Sequence, residues 1–164
     1  MSFCSKINSI YQKNNNIEIY LDMDGTIVEF LLDNNNNFLK DGEYLKKKPI
    51  SPILDIMKEI KKRYPLIKFK ILSCAGTNQM KKEKNEWIDK YIPYICNEDR
   101  IIFSKENGEY CNENSDIVKA EYLSNVSVNS NIIMFIDDDV RNLIKVQKLG
   151  KNNIIPIHVT SVLI

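Results

Sequence analysis

The sequence has few of the residues that build zinc sites, and it has no long apolar run. Among its 164 residues are one histidine and four cysteines. The cysteines show no paired spacing of the kind that zinc sites use, so no zinc site is expected. They are Cys4, Cys74, Cys96 and Cys111. No apolar run approaches the ~20 residues that a membrane-spanning helix needs, so we expect no membrane partner.

The sequence also has almost no net charge. Its 23 basic and 22 acidic residues leave a formal charge of +1. This balance gives no electrostatic indication of a stable nucleic-acid partner or of a membrane surface. With no signal peptide in view, the cysteines are interpreted as reduced thiols of a cytoplasmic protein. No feature of the sequence indicates an oligomeric state.

Apolar, β-branched runs alternate with helical patterns along the chain. The runs predict five strands, at 17–21, 67–72, 100–103, 132–136 and 154–159. The helical patterns begin near positions 51, 78, 115 and 140. Such alternation is typical of an α/β fold in which helices cover both faces of a parallel sheet. We expect one domain over 1–164, with a small β-hairpin flap at 27–48 as its cap.

The most informative stretch is an apolar strand that ends in Asp22 and Asp24, followed by Gly25. Side chains two positions apart on a strand point to the same face, so both carboxylates can address one site. Close carboxylates repel each other unless a cation or a shared proton compensates. Oxygen ligands without a nearby Cys or His favour Mg²⁺. Gly25 permits the sharp turn that such a site needs.

Polar side chains also follow two other predicted strands. Ser73 comes after the second strand, and Asp137 and Asp138 come after the fourth. Ligands of open α/β sheets bind beyond the carboxyl ends of the strands, near the switch in strand order. The sequence therefore predicts a single site at this edge of the sheet.

These pieces, in this order, resemble the motifs of the haloacid dehalogenase superfamily of phosphohydrolases. The stretch 22–26 resembles the first motif, 69–73 the second and 132–138 the fourth. Lys119, at the start of a helical pattern and 18 residues before Asp137, resembles the third. The resemblance covers about 17–150. It implies a three-layer Rossmann-like sandwich and Mg²⁺-dependent hydrolysis of a phosphomonoester through an aspartyl-phosphate.

The resemblance also implies a role for each residue. Asp22 would be the nucleophile, and Asp24 would protonate the leaving group and then deprotonate the attacking water. That second role needs a carboxyl group with a raised pKa. The implied phosphate-binding residues are Thr26, Ser73 and Lys119. The implied metal ligands are Asp22, Asp24 (through its backbone carbonyl) and Asp138, with Asp137 and Asn142 in support.

Some assignments stay open at this point. Asp137 competes with Asp138 as the direct metal ligand, and Lys105, just after the third predicted strand, competes with Lys119. The basic runs at 46–48 and 81–82 are interpreted as solvated faces. His158, the single histidine, is interpreted as structural.

Within the superfamily, the chain resembles the small 5′(3′)-deoxyribonucleotidases. The resemblance rests on 22–30, on a Lys84…Trp87 pattern and on 135–138. It implies a small phosphorylated substrate, a nucleoside monophosphate. The short insert favours an alternative, a phosphatase for polynucleotide ends or phosphoproteins. A non-catalytic phosphoryl-binding module and phosphotransfer to another alcohol are the remaining alternatives.

Overall fold

A computed structural model describes residues 2–32, 40–111, 115–128 and 130–164. The strands are β1 (Ile17–Leu21), β2 (Lys68–Ala75), β3 (Arg100–Ser104), β4 (Ile132–Asp137) and β5 (Ile154–His158). The α-helices are α1 (Phe3–Tyr11), α2 (Ser51–Arg63), α3 (Asn78–Tyr91), α4 (Ser115–Val126) and α5 (Val140–Gln147). Short 3-10 helices lie at Tyr44–Lys46, Asn97–Asp99 and Val159–Val162.

The five strands form one parallel sheet in the order β3-β2-β1-β4-β5. The chain order reverses at β1, which lies between β2 and β4. Its Ile19 is opposite Phe69 of β2 and Met134 of β4. The predicted α/β class, with a five-stranded parallel sheet in a three-layer Rossmann-like sandwich, is confirmed.

Helices cover both faces of the sheet because side chains alternate along each strand. Ile19 and Leu21 of β1 point into the larger core, which α1, α2 and α3 cover with apolar side chains. Tyr20, between them, points into the smaller core under α4 and α5. The continuous apolar runs of the sequence are therefore explained by strands that are buried on both sides.

Among the α-helices and strands, two differ from the sequence prediction by more than a residue at a boundary. Helix α1 was not expected, although its Phe3 and Ile7 are buried. Strand β2 does not end before Ser73 but continues to Ala75. Its last three residues pair with β3, which extends the parallel ladder. Ser73 therefore lies within the strand and not beyond its end.

The predicted cap at 27–48 is described in part, since 33–39 lie outside the described residues. Residues 40–48 (the 40–48 segment) contain the 3-10 helix Tyr44–Lys46. The buried Glu83 carboxylate of α3 accepts hydrogen bonds from the backbone N–H of Gly42 (2.6 Å) and Tyr44 (3.0 Å). Trp87 donates its indole N–H to the Lys47 carbonyl at 3.0 Å. Helix α3 thus holds this segment against the sheet edge. The hairpin itself stays a prediction.

Among the described residues, no helix has the length and apolar character required to cross a bilayer.

Candidate active site

A tight turn after β1 shapes the site. The N–H groups of Thr26, Ile27 and Val28 all donate to the Met23 carbonyl, and Gly25 donates back to the Val28 carbonyl at 2.8 Å. Gly25 adopts a φ of +79°, a conformation that residues with a Cβ rarely adopt. A Cβ at this position would also overlap the Asp138 carboxylate. The turn therefore requires glycine for two separate reasons.

The first of two polar groupings, the Asp22 cluster, lies between the ends of β1 and β4. Lys119 of α4 donates to Asp22 Oδ1 and to Asp137 Oδ2, both at 2.9 Å. Asn142 donates to the same Asp137 oxygen at 2.8 Å, and the Asp139 backbone N–H donates to Asp137 Oδ1 at 2.8 Å. Asp22, Lys119 and Asp137 are all buried. The rival Lys105 is exposed.

Buried charges perturb one another in this cluster. Burial raises the pKa of Asp137 to about 7, and the Asp22 carboxylate adds to the effect while Lys119 opposes it. Burial by itself lowers the pKa of Lys119, but Asp22 and Asp137 outweigh burial and raise it. Burial, and then Asp22, also raises the pKa of Asp138. One ammonium group therefore does not fully compensate the three carboxylates.

The same carboxylates can hold a divalent cation. Asp22, Asp137 and Asp138 offer oxygens that all lie within 4.8 Å of one another. All the donors are carboxylate oxygens, which fits Mg²⁺, and a divalent cation would remove the excess negative charge. Both Asp137 oxygens already accept hydrogen bonds, whereas the hydrogen bond found on Asp138 is one from Thr26 to Oδ1 at 3.2 Å. Asp22 and Asp138 therefore have more free capacity for a metal than Asp137.

The second grouping, the Asp24 cluster, pairs the other carboxylate of the motif with two lysines. Lys47 donates to Asp24 Oδ1 and Lys84 to Asp24 Oδ2, both at 2.6 Å. Lys84 also donates to the Ser73 hydroxyl at 3.0 Å and to the Cys74 carbonyl at 2.7 Å. Both lysines are buried, with 6% and 1% of their surface exposed for Lys47 and Lys84.

The lysine pair corrects the expectation of a raised pKa at Asp24. Burial alone would raise the pKa of this carboxyl group, but the charges of Lys84 and Lys47 outweigh burial and lower it to about 2. In this state Asp24 is an ionised carboxylate and not a ready acid. The second carboxylate of the motif thus differs from the first in its immediate partners.

The interpretation of 46–48 as a solvated face is wrong for Lys47. Lys46 and Lys48 are exposed, whereas the Lys47 ammonium group is turned inward onto Asp24. No pattern in the sequence around Lys47 predicts that its side chain is buried. Lys84 did have one, because it lies on the apolar stripe of α3 with Trp87 and Ile88, both fully buried. A lysine on the core face of a helix needs a buried partner.

The other predicted residues are placed as follows. The buried Thr26 hydroxyl contacts Asp138, as described above, and Ser73 contacts Lys84. His158 lies at the end of β5, with Nε2 at 3.1 Å from the Asp138 carbonyl and Nδ1 at 2.8 Å from the Thr160 hydroxyl. His158 thus supports the backbone beside the acid pair, as its structural interpretation predicts.

A cavity of about 570 Å³ opens beside Asp24. Its walls combine apolar or aromatic side chains with cations and small residues; they comprise Phe30, Lys40, Tyr44, Lys47, Cys74, Gly76, Met80, Tyr110, Ser115 and Arg141. This volume falls in the range of roughly 300–1,000 Å³ that small-molecule sites occupy. Burial raises the pKa of the Cys74 thiol to about 11, so this cysteine is a poor nucleophile at neutral pH.

Among known proteins, the chain has a likeness of fold and no match to a family model. No protein-family model matches the sequence. No curated protein is detectably similar to it. A chain in a solved structure entitled "Structure of the Pnkp1/Rnl/Hen1 RNA repair complex" superposes with a TM-score of 0.59 and 14% identity. The match covers 87% of this chain and 42% of that chain. At this identity the likeness concerns the fold alone, and this chain spans less than half of the chain it resembles.

Proposed function

We propose that the protein is a Mg²⁺-dependent phosphomonoester hydrolase that acts through an aspartyl-phosphate. The observation that carries the proposal is the convergence of Asp22, Asp138 and Lys119 from three separate elements onto one sheet edge. A phosphomonoester resists attack because its own charge repels nucleophiles. A catalyst must therefore supply positive charge beside an aligned nucleophile.

In the proposed reaction, a carboxylate oxygen of Asp22 forms a bond to phosphorus while the bond to the leaving oxygen breaks. Lys119, 2.9 Å from Asp22, holds the carboxylate in place and neutralises charge on the phosphoryl group. Mg²⁺ would be held by Asp22, Asp138 and the Asp24 backbone carbonyl, and would partly neutralise the nucleophile and the phosphate. Asp137 and Asn142 orient Lys119 and the end of β4.

The proton for the leaving oxygen is assigned to Asp24. Its two lysines hold it ionised when no phosphate is bound. A phosphate dianion would compete for these ammonium groups, since Lys84 also contacts the phosphate-binding candidate Ser73. Weaker pairing raises the affinity of Asp24 for a proton. Asp24 then gives this proton to the leaving oxygen and regains one from the water that hydrolyses the aspartyl-phosphate.

The proposed substrate is a small phosphomonoester with a planar group, a nucleoside monophosphate being the leading candidate. The apolar and aromatic walls beside Asp24 suit a ring, and Lys40 adds positive charge at this cavity, where Arg141 is paired with Asp139. Phosphorylated polynucleotide ends are the second candidate. The similarity in fold to a chain from an RNA repair complex favours this class without assigning it.

Asp22→Asn is the decisive variant. It should abolish hydrolysis of p-nitrophenyl phosphate in the presence of Mg²⁺ and leave the circular-dichroism spectrum of the folded protein unchanged. Asp55→Asn, at an exposed carboxylate on α2, is the matched control and should keep wild-type activity. Retained turnover in Asp22→Asn would reject the mechanism. Binding of beryllofluoride without turnover of any phosphomonoester would instead favour a phosphoryl-binding module.

The substrate class is a separate measurement. Rates on a nucleoside monophosphate and on a 5′- or 3′-phosphorylated oligonucleotide should be compared at equal phosphate concentration. A faster rate on the mononucleotide supports the leading candidate, and a faster rate on the oligonucleotide replaces it with the second. Appearance of a phosphorylated alcohol in the presence of glycerol would indicate phosphotransfer.

A further inference from the structure

The 40–48 segment brings Lys47 into the Asp24 cluster. Lys46 and Lys48, its neighbours in sequence, are exposed, whereas the Lys47 ammonium nitrogen lies 2.6 Å from Asp24 Oδ1. Lys47 also lines the cavity, so its charge faces the space in which the proposed substrate would bind. A long side chain held in one place loses the freedom of its rotamers, which costs free energy. The placement of Lys47 therefore needs support from other parts of the protein.

Glu83 of α3 is the first support. It is 1% exposed, and its Oε1 accepts from the Gly42 backbone N–H at 2.6 Å while its Oε2 accepts from that of Tyr44 at 3.0 Å. The Gln79 amide also donates to Oε1, at 2.9 Å. These donors are neutral, and a buried carboxylate needs hydrogen bonds to offset the loss of water. Glutamine at this position could not accept both backbone hydrogen bonds on separate oxygens, because its amide nitrogen is a donor.

Trp87, one turn further along α3, is the second support. Its side chain is fully buried, and its indole N–H donates to the Lys47 carbonyl at 3.0 Å. Lys84, between Glu83 and Trp87, donates to Asp24 Oδ2 at 2.6 Å. One helix therefore places both lysines of the cluster, Lys84 by its own side chain and Lys47 through the backbone of the 40–48 segment.

The ring of Tyr44 links the backbone support to the Lys47 ammonium group. The Lys47 nitrogen lies 4.6 Å from the centroid of this ring. A cation within about 6 Å of an aromatic centroid is attracted to the face of the ring. Because Glu83 fixes the Tyr44 backbone, it also fixes the ring that Lys47 contacts. A change at Glu83 should therefore move Lys47, although the two side chains have no hydrogen bond to each other.

We propose that Glu83 and Trp87 are positioning residues for Lys47, and that they hold its ammonium group at the cavity wall, where it meets the phosphoryl group of the substrate. This inference rests on the proposed function. Neither Glu83 nor Trp87 lines the cavity, so their effect on turnover passes through the segment that they hold. Because both act through Lys47, the loss of either can lower turnover by no more than the loss of Lys47 itself.

The test is a double-mutant cycle of Glu83→Gln with Lys47→Met, assayed well below the thermal midpoint of each variant. In the wild-type background, Glu83→Gln should lower kcat/KM for p-nitrophenyl phosphate about fivefold, since a misplaced group loses most of its effect. In the Lys47→Met background, the same change should lower kcat/KM by less than about 1.5-fold, because the residue that it positions is absent. The inhibition constant of inorganic phosphate should rise in the first background and stay constant in the second.

Glu86→Gln is the matched control. It makes the same chemical change on α3, at a carboxylate that lies near Lys82 on the exposed side of the helix, and it should keep wild-type kcat/KM. An equal fall for Glu83→Gln in both backgrounds would indicate a merely structural role and overturn the inference, as would no fall in either, while the proposed function stands. If Glu83→Gln does not fold, Trp87→Phe, which removes the indole N–H and keeps an aromatic ring, decides in the same cycle. A wild-type protein that hydrolyses no phosphomonoester would refute the proposed function, and the inference with it.

Discussion

The two aspartates of the first motif lie two residues apart, yet they have opposite surroundings. Asp22 shares one lysine with Asp137 and lies beside Asp138, so its cluster has an excess of negative charge. Asp24 forms ion pairs with both Lys47 and Lys84, so its cluster has an excess of positive charge. The first cluster suits a cation, and the second suits a phosphate. A single turn at Gly25 thus places two complementary electrostatic environments next to each other.

The largest effect is expected from removing the one cation of the Asp22 cluster. Lys119→Met leaves Asp22 and Asp137 buried without a counter-charge, which should cost about 3–5 kcal/mol of unfolding free energy. Turnover should fall by a factor on the order of 10²–10³, because the charge stabilising the transition state is lost. Chemical denaturation and steady-state kinetics measure the two effects.

Lys105→Met is the control for this variant, since Lys105 is exposed just after β3. It should change stability by less than about 0.5 kcal/mol and leave activity unchanged. Mg²⁺ should restore part of the stability of Lys119→Met if the cluster holds a cation. If Lys119→Met were as stable and as active as wild type, the Asp22 cluster would not need its lysine, and the proposed difference between the two clusters would be refuted.

The next effect concerns the turn that separates the clusters. Gly25→Ala forces a Cβ into the left-handed region and against the Asp138 carboxylate. Gly42→Ala, with a φ of +89° and open space around it, carries only the backbone strain of about 1–2 kcal/mol. Gly25→Ala should therefore lose more stability than Gly42→Ala and need more Mg²⁺ for half-maximal activity. Equal Mg²⁺ requirements in the two variants would contradict the assignment of Asp138 as a metal ligand.

A smaller effect is expected in the Asp24 cluster. Lys47→Met should lower kcat/KM about tenfold, a part of the roughly 10²–10⁴-fold that a positioned acid contributes. Lys46→Met, one residue away, removes an exposed ammonium group paired with Glu43 and should leave kcat/KM unchanged. If both variants behave alike, the 40–48 segment has no specific part in the reaction.

The last effect is a dependence of stability on pH. The folded-state pKa of Asp24 is lowered from 3.8 to about 2, so its contribution to stability is present above pH 4 and lost as the pH falls to 2. The size is at most about 2 kcal/mol. In the absence of Mg²⁺, denaturation of wild type should show this loss between pH 4 and 2, and Asp24→Asn should show less of it. Asp55→Asn gives the background effect of removing an exposed carboxylate. Identical slopes in wild type and Asp24→Asn would show that the lysine pair does not hold the charge.

The same contrast explains which parts the sequence could predict. The Asp22 cluster is built from strand ends and a helix start, and these have local signals, namely apolar runs followed by acids. Such signals predicted the sheet, its parallel arrangement and the residues that meet at its edge. The extension of β2 past Ser73 was missed because it depends on pairing with β3, which is a long-range interaction.

Most of the Asp24 cluster could not be predicted from the sequence, because it also depends on long-range interactions. Lys47 looks like its neighbours in sequence and differs from them only because Glu83 and Trp87 hold the backbone around it. Tyr44 lies in a stretch without hydrophobic periodicity. Lys84 was the member that the sequence could indicate, since a lysine between buried positions of a helix predicts an ion pair inside the protein.

The attachment of residues 40–48 to α3 has a consequence for how the pocket can diversify. Glu83 and Trp87, two buried side chains of α3, bind the backbone of this segment. Its placement therefore does not depend on the length of the chain that precedes it. Insertions before position 40 could enlarge or reshape the entrance while Tyr44 and Lys47 keep their places. Loops of different length grafted before position 40 would change the substrate preference and leave the catalytic residues unchanged.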